Sequence, residues 1–136
     1  MGTYETLVFG VVDGDKSEIV VFGTLANGKV PEGNTVYEIG SVAKTFTATL
    51  LARAVLSGRV TLDTPVARLL PDFKIPSRGG RAITLGDRAT HRSGLPPLPL
   101  NMSPKDQANP FADYDPAKLK AFLARYELPR NPGAAF

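Results

Sequence analysis

The sequence predicts an α+β domain, on three observations. Two short runs of β-branched and aromatic residues, Leu7–Val12 and Ile19–Phe22, flank the turn-forming segment Asp13-Gly14-Asp15-Lys16. The stretch from Ser41 to Leu56 is nearly apolar all round and contains neither glycine nor proline. After Asp115, the residues Leu119, Phe122, Leu123 and Tyr126 recur at i, i+3, i+4 and i+7. Strand composition followed by helical periodicity points to a hairpin with helices against it.

Taken in order, the first two runs read as an antiparallel hairpin, because Asp-Gly-Asp-Lys supplies residues that tolerate positive φ. Each run is apolar at consecutive rather than alternating positions, which predicts strands covered on both faces. Gly28, Pro31 and Gly33 mark a loop. Ser41–Leu56 then reads as a helix stopped by Gly58. Only Ser41, Lys44, Arg53 and the threonines interrupt its apolar surface, so a buried helix is expected. Asp63-Thr64-Pro65 predicts a cap and first-turn proline for a short helix over Val66–Leu70, ended by Pro71. Thr84 and Asp87 have capping-box spacing for a further short helix ending near Ser93-Gly94. Eight of the twelve prolines fall between Pro96 and Pro132, so that part is mostly extended or looped, apart from a helix capped by Asp115 and opened by Pro116. Two strands make a marginal sheet in water, so the strand composition calls for further strands from another copy or from chain beyond this segment.

Composition narrows the chemistry. With 136 residues, 43% apolar and 21% charged, the chain has the make-up of one globular domain or part of one. The absence of cysteine excludes disulfides, thiolate zinc sites, iron–sulfur clusters and a cysteine nucleophile, and one histidine, His91, is too few for a histidine-built metal centre. No metal and no cofactor are expected. The net charge is +3, unevenly spread: residues 1–40 hold two basic and six acidic side chains, residues 41–100 nine basic and three acidic. Those basic residues are scattered, without the interleaved aromatics of an RNA-binding sheet, and nucleic acid is not an expected partner. No run approaches the ~20 apolar residues of a membrane span. The start, Met1-Gly2-Thr3-Tyr4-Glu5-Thr6, lacks a secretory signal and fits the loose N-myristoylation pattern.

The sharpest chemical feature is Ser41-Val42-Ala43-Lys44 at the head of the apolar helix. Side chains three apart on a helix are neighbours, with Cβ atoms about 5–6 Å apart, so the lysine amine can reach the serine hydroxyl. A serine needs a base to become a nucleophile, and a lysine serves as one when burial or neighbouring positive charge favours its neutral form. Val42, Phe46 and Ala48 are the residues expected to bury it. The helix N-terminus favours negative charge developing near Ser41, whose own N–H is a candidate oxyanion donor. The bland reading is that Ser41 caps the helix while Lys44 reaches to water. A Ser41–His91–Asp87 triad is the other nucleophilic arrangement available, but Gly40-Ser41-Val42-Ala43 lacks the Gly-x-Ser-x-Gly elbow. Asp113 and Asp115 read as turn and cap residues rather than as a paired acid and base.

Context raises the weight of the Ser/Lys pair. Tyr37-Glu38-Ile39-Gly40-Ser41-Val42-Ala43-Lys44-Thr45-Phe46-Thr47-Ala48 resembles the nucleophile segment of the serine β-lactamase and penicillin-binding superfamily, in its class C-like branch with D-alanyl-D-alanine peptidases and related esterases. The likeness continues through Gly58-Arg59-Val60-Thr61-Leu62-Asp63, Pro65-Val66, Leu70-Pro71, Ile83-Thr84-Leu85 and Thr90-His91-Arg92-Ser93-Gly94-Leu95-Pro96. Pro132-Gly133 with Phe136 resembles the stretch before the family's Tyr-x-Asn element, and Leu7–Phe22 fits its opening hairpin.

The resemblance implies a β-lactamase/transpeptidase-like fold, with Ser41 as the acylated nucleophile and Lys44 as its proton-transfer partner. It places Pro97 and Leu98, within Leu95–Leu100, on one wall of a substrate cleft. None of Tyr4, Tyr37, Tyr114 or Tyr126 is followed two residues on by Asn, and the only Lys-Thr dipeptide is Lys44-Thr45. Residues 1–136 therefore read as a single incomplete domain, with the hairpin and nucleophile helix in 1–60 and part of a helical region in 61–136. The function implied is a serine hydrolase acylated by a β-lactam or D-alanyl peptide and deacylated by water. The alternative is a catalytically incomplete module that associates with itself through an open sheet edge, as a homo-oligomer or by strand exchange. The family acts mostly outside the cytoplasm, so an extracytoplasmic setting is expected.

Overall fold

The computed structural model describes residues 6–135. Met1–Glu5, with most of the N-terminal acylation pattern, and Phe136 lie outside the described residues. The chain divides into two compact units, Met1–Val42 and Ala43–Phe136.

In the first unit, β1 (Thr6–Asp13) pairs antiparallel with β2 (Lys16–Gly23), in a register running from Thr6 opposite Gly23 to Asp13 opposite Lys16. The loop is the two-residue Gly14-Asp15, and Gly14 takes a positive φ of 58°, the glycine-first requirement of a tight hairpin turn. Leu7, Phe9 and Val11 share one face with Phe22 and Val20, where the Phe9 and Phe22 rings meet edge to face at 6.2 Å. Val8, Val12, Ile19 and Val21 lie on the other face. The expected cover is absent: Phe9 is 49%, Phe22 56% and Val12 78% exposed. The physical reason is that this sheet has two strands among the described residues, and a lone hairpin has no interior strand to bury. The loop predicted at Gly28–Gly33 is present, closed by the Gly28 amide donating to the Leu25 carbonyl at 2.8 Å. The unit ends in a single 3₁₀ turn over Gly40–Val42.

The second unit opens with α1 (Ala43–Leu56). Its end is set as predicted: Gly58 is left-handed (φ 71°), its amide donates to the Val55 carbonyl at 2.9 Å, and the Arg59 amide reaches back to Ala54 at 3.1 Å. This is the glycine-terminated C-cap in which two otherwise orphaned carbonyls are satisfied. The threonines are accommodated by bonding the helix itself, Thr47 Oγ1 to the Ala43 carbonyl at 3.3 Å and Thr49 Oγ1 to Thr45 at 2.9 Å. Burial of this helix, expected from its composition, is not found in this chain. None of its residues is buried, and Phe46 and Leu50 are 63% and 64% exposed. Only Leu51, Ala54 and Val55 are half-buried.

The short helix α2 covers Val66–Leu69. The predicted Asp63-Thr64 cap is not what starts it: Pro65 occupies the N-cap, and no side chain caps the turn. The Val66 amide instead donates to the Ile83 carbonyl at 2.9 Å, while Leu85 and Gly86 donate to Thr64 and Leu62, so a distant strand-like segment does the capping. Thr64, buried, accepts from the Thr61 amide at 2.8 Å. A small hairpin follows, β3 (Ser77–Arg78) with β4 (Arg81–Ala82), across Gly79 and Gly80, both at positive φ.

Helix α3 (Leu85–Ala89) carries the predicted capping box: Thr84 Oγ1 accepts from the Asp87 amide at 3.1 Å, and Asp87 Oδ2 accepts from the Thr84 amide at 3.0 Å. It ends at Ala89, before the predicted Ser93-Gly94, and the chain turns through His91 and Gly94, both left-handed. Helix α4 (Pro116–Arg125) has Asp115 accepting from the Lys118 amide at 2.8 Å, as its sequence predicts. Phe122 and Leu123 of its apolar stripe join Ile83 and Leu128 in the small core. Among the described residues no helix is long and apolar enough to cross a membrane.

Candidate functional site

Ser41 lies in the 3₁₀ turn Gly40–Val42, and Lys44 lies in the first turn of α1. They therefore close one unit and open the next, three residues apart in the chain. Both are exposed. Val42 is 57% and Phe46 63% exposed, so the residues expected to bury the Lys44 amine do not enclose it in this chain. The cause is the one that leaves α1 open: the second unit's buried side chains come from the segments around Thr64, Ile83, Ser93, Phe122 and Leu128, not from the head of α1.

Within the second unit, Lys44 lines a cleft of about 340 Å³ between α1 and α3. Lys44, Thr47, Ala48 and Leu51 form the α1 wall, Leu85, Arg88 and Ala89 the α3 wall, and His91 completes it. Pro97 and Leu98, the predicted substrate wall, are exposed in a loop and do not line this cleft. The grouping of Lys44 with Arg88 and His91 is not legible in the sequence. Spacing of i, i+3, i+4 and i+7 on α1 and i, i+3 and i+4 on α3 was available to mark the two faces, but not that they oppose each other.

Asp87 is buried and serves the capping box of α3. Its Oδ2 accepts from the Thr84 amide and hydroxyl at 3.0 and 2.9 Å, and its Oδ1 lies 3.7 Å from an Arg81 guanidinium nitrogen. Asp113 and Asp115 behave as turn and cap: Lys118 Nζ lies 3.2 Å from Asp113 Oδ2, and the Asp113 carboxyl is held below its ordinary value, first by that hydrogen bond and then, against some desolvation, by the lysine's charge. Among the described residues no three His, Asp or Glu side chains group as metal ligands do.

The Beta-lactamase family model matches residues 2–136. The chain is 39% identical over 87 residues to Penicillin-binding protein 4 of Amycolatopsis lactamdurans, covering 62% of this chain and 23% of that protein. It is 32% identical over 89 residues to the D-alanyl-D-alanine-carboxypeptidase/endopeptidase AmpH of Escherichia coli (strain K12), covering 63% of this chain and 23% of that protein. Its structure resembles that of a class C beta-lactamase solved in complex with cefoxitin, with a TM-score of 0.67 and 27% identity over 94% of this chain and 33% of the other. The matched stretches thus span 23% to 33% of the length of these proteins.

Proposed function

The chain belongs to the beta-lactamase family, and from that premise we propose that it carries the nucleophile segment of a serine hydrolase of the β-lactamase and penicillin-binding type. The observation that carries this reading is Ser41-Val42-Ala43-Lys44 at the mouth of a helix, inside a family match that runs through almost the whole chain.

In the proposed step, Ser41 Oγ attacks the carbonyl carbon of a β-lactam or D-alanyl peptide and its proton passes to Lys44. The carbonyl C–N bond breaks, the proton is delivered to the departing nitrogen, and water later cleaves the Ser41 ester. The head of α1 favours the negative charge that develops on the carbonyl oxygen. The solved neighbour with cefoxitin supports a lactam and the E. coli relative supports a D-alanyl peptide. An extracytoplasmic setting accords with both substrates.

The test is intact-mass spectrometry after incubation with a reactive β-lactam. The expected result is a mass gain equal to one whole lactam, since ring opening releases nothing, absent from Ser41→Ala. A well-folded protein that takes up no adduct overturns the acylation reading.

A second reading is favoured by a separate observation. Large apolar side chains stand exposed on both faces of the β1–β2 hairpin, including Leu7, Phe9, Val11, Val12, Ile19 and Phe22. A short sheet with open edges and apolar faces pairs readily with another chain, so we also propose that this polypeptide associates with a second copy of itself.

A further inference from the structure

We propose that Asn27 is a spontaneous modification site, losing its side-chain amide through a succinimide closed with the Gly28 nitrogen and ending as aspartate and isoaspartate. The site lies in the first unit and does not depend on acylation at Ser41.

The step is a ring closure followed by hydrolysis. The Gly28 nitrogen gives up its proton to hydroxide and bonds to Asn27 Cγ, and the Cγ–Nδ2 bond breaks as ammonia leaves with a proton taken from water. Water then opens the ring. Addition at Cγ cuts its bond to the ring nitrogen and leaves aspartate, whereas addition at the Asn27 main-chain carbonyl carbon leaves the chain running through Cγ as isoaspartate. One water enters, one ammonia departs, and nothing is oxidised. Because nucleophile and carbonyl belong to adjacent residues the reaction is intramolecular, and crowding at the nitrogen decides its pace.

Five asparagines compete for this chemistry. Asn109 and Asn131 precede Pro110 and Pro132, whose nitrogens carry no proton to lose. Asn34 precedes Thr35, whose branched side chain crowds the attacking atom. Asn101 is held at both ends of its amide, Nδ2 donating to the Lys118 carbonyl at 2.9 Å and Oδ1 accepting from the Tyr114 hydroxyl at 2.8 Å. Only Asn27 precedes a glycine, which brings no side chain to the nitrogen.

The local structure admits the reaction and slows it. Asn27 and Gly28 are exposed, and a Cβ added at Gly28 would meet nothing within 4 Å, so base and water reach the pair. The Lys29 amide donates to Asn27 Oδ1 at 3.1 Å, which favours the negative charge that gathers on that oxygen as the ring closes. One contact opposes attack: the Gly28 amide donates to the Leu25 carbonyl at 2.8 Å. The nitrogen is therefore released only when this turn opens. Exposed backbone bonds in a loop lie at the low end of the scale of opening costs, so the bond is a brake and not a block.

The test is a time course in warm, mildly alkaline buffer on the 136-residue chain, beside the free peptide Leu-Ala-Asn-Gly-Lys-Val, with peptide mapping by mass spectrometry. Asn27 is expected to convert first among the five asparagines, its product heavier by the difference between a hydroxyl and an amino group and split into two forms, one of them a substrate for an isoaspartyl methyltransferase. The rate is expected to rise in proportion to hydroxide and to be several-fold lower in the folded chain than in the peptide. Gly28→Ala is expected to slow conversion about tenfold or more in chain and peptide alike, so the result does not hinge on whether that variant keeps its turn. An Asn27 still intact in the chain long after the peptide has converted, earlier conversion at Asn34 or Asn101, or aspartate formed without isoaspartate would each overturn the proposal.

Discussion

At Gly133 the backbone takes φ 79°, and an added Cβ would stand 2.6 Å from an Arg81 guanidinium nitrogen and 3.0 Å from Asp87 Oδ1. Arg81, more than half exposed, can swing aside at little cost, since a surface ion pair is worth little. The backbone cannot, because the Gly133 amide donates to the Arg92 carbonyl at 2.7 Å and the Arg92 guanidinium donates back to the Gly133 carbonyl. Gly133→Ala is therefore expected to lower the unfolding free energy by about 1–3 kcal/mol, mostly through the left-handed backbone. A urea midpoint equal to the parent's would contradict this. The Asp113–Lys118 pair makes a prediction in pH. Because the folded Asp113 carboxyl sits below its ordinary value, its contribution to stability is present above the unfolded value and is lost as pH falls through the folded one. Lys118→Met is expected to raise the Asp113 titration midpoint, read from its side-chain carbon shift, and to lose the ion pair's contribution to stability at neutral pH, where the parent has it, while in strong acid neither protein has it. An unmoved midpoint would show that Lys118 is not the cause.

Element boundaries were legible where they rest on neighbours in sequence. The Asp13–Lys16 turn, the Gly58 stop, the Thr84–Asp87 box and the Asp115–Pro116 start are all contacts within five residues of chain, and each stands where the sequence places it. Boundaries set at long range were not legible. Pro65 replaces the expected Asp63-Thr64 cap because the Val66 amide finds the Ile83 carbonyl, a partner that no local pattern announces. The β3–β4 hairpin is announced in the sequence only by the Gly79-Gly80 dipeptide at its turn. Of the site, the Ser41–Lys44 spacing was legible because it is local, while the opposition of Lys44 to Arg88 and His91 depends on α1 meeting α3. The caps allow a test of how far local chemistry holds this unit together. Asp115→Ala removes the side chain that accepts from the Lys118 amide and is expected to cost about 1 kcal/mol, with faster hydrogen exchange confined to the first turn of α4. Loss of protection throughout the core would show instead that Phe122 and Leu123 depend on that first turn for their packing.

Across the whole molecule, composition states a demand for burial that the chain meets only in part. A helix apolar on all sides and a hairpin apolar on both faces are the patterns of covered elements, yet Phe46, Leu50, Phe9 and Phe22 are each about half exposed or more. The demand is written in each segment's own residues, whereas what answers it is a partner surface, which a local pattern does not encode. Apolar area left in water is worth roughly 25 cal/mol per Å² if removed, so several exposed aromatic and aliphatic side chains together supply a drive toward association. The β1–β2 hairpin offers both routes, its faces by packing and its open edges by strand pairing. Light scattering is expected to give a mass above the 14.5 kDa of one chain, falling toward that value on dilution. A charge in the middle of either face opposes packing there, so Phe9→Lys on one face and Ile19→Lys on the other identify the face used by which of them restores the monomer. Restoration by neither, with association persisting, would assign the contact to the strand edges or to α1. A parent chain that stays monomeric at high concentration would refute self-association and leave the exposed apolar surface without a second copy as its occupant.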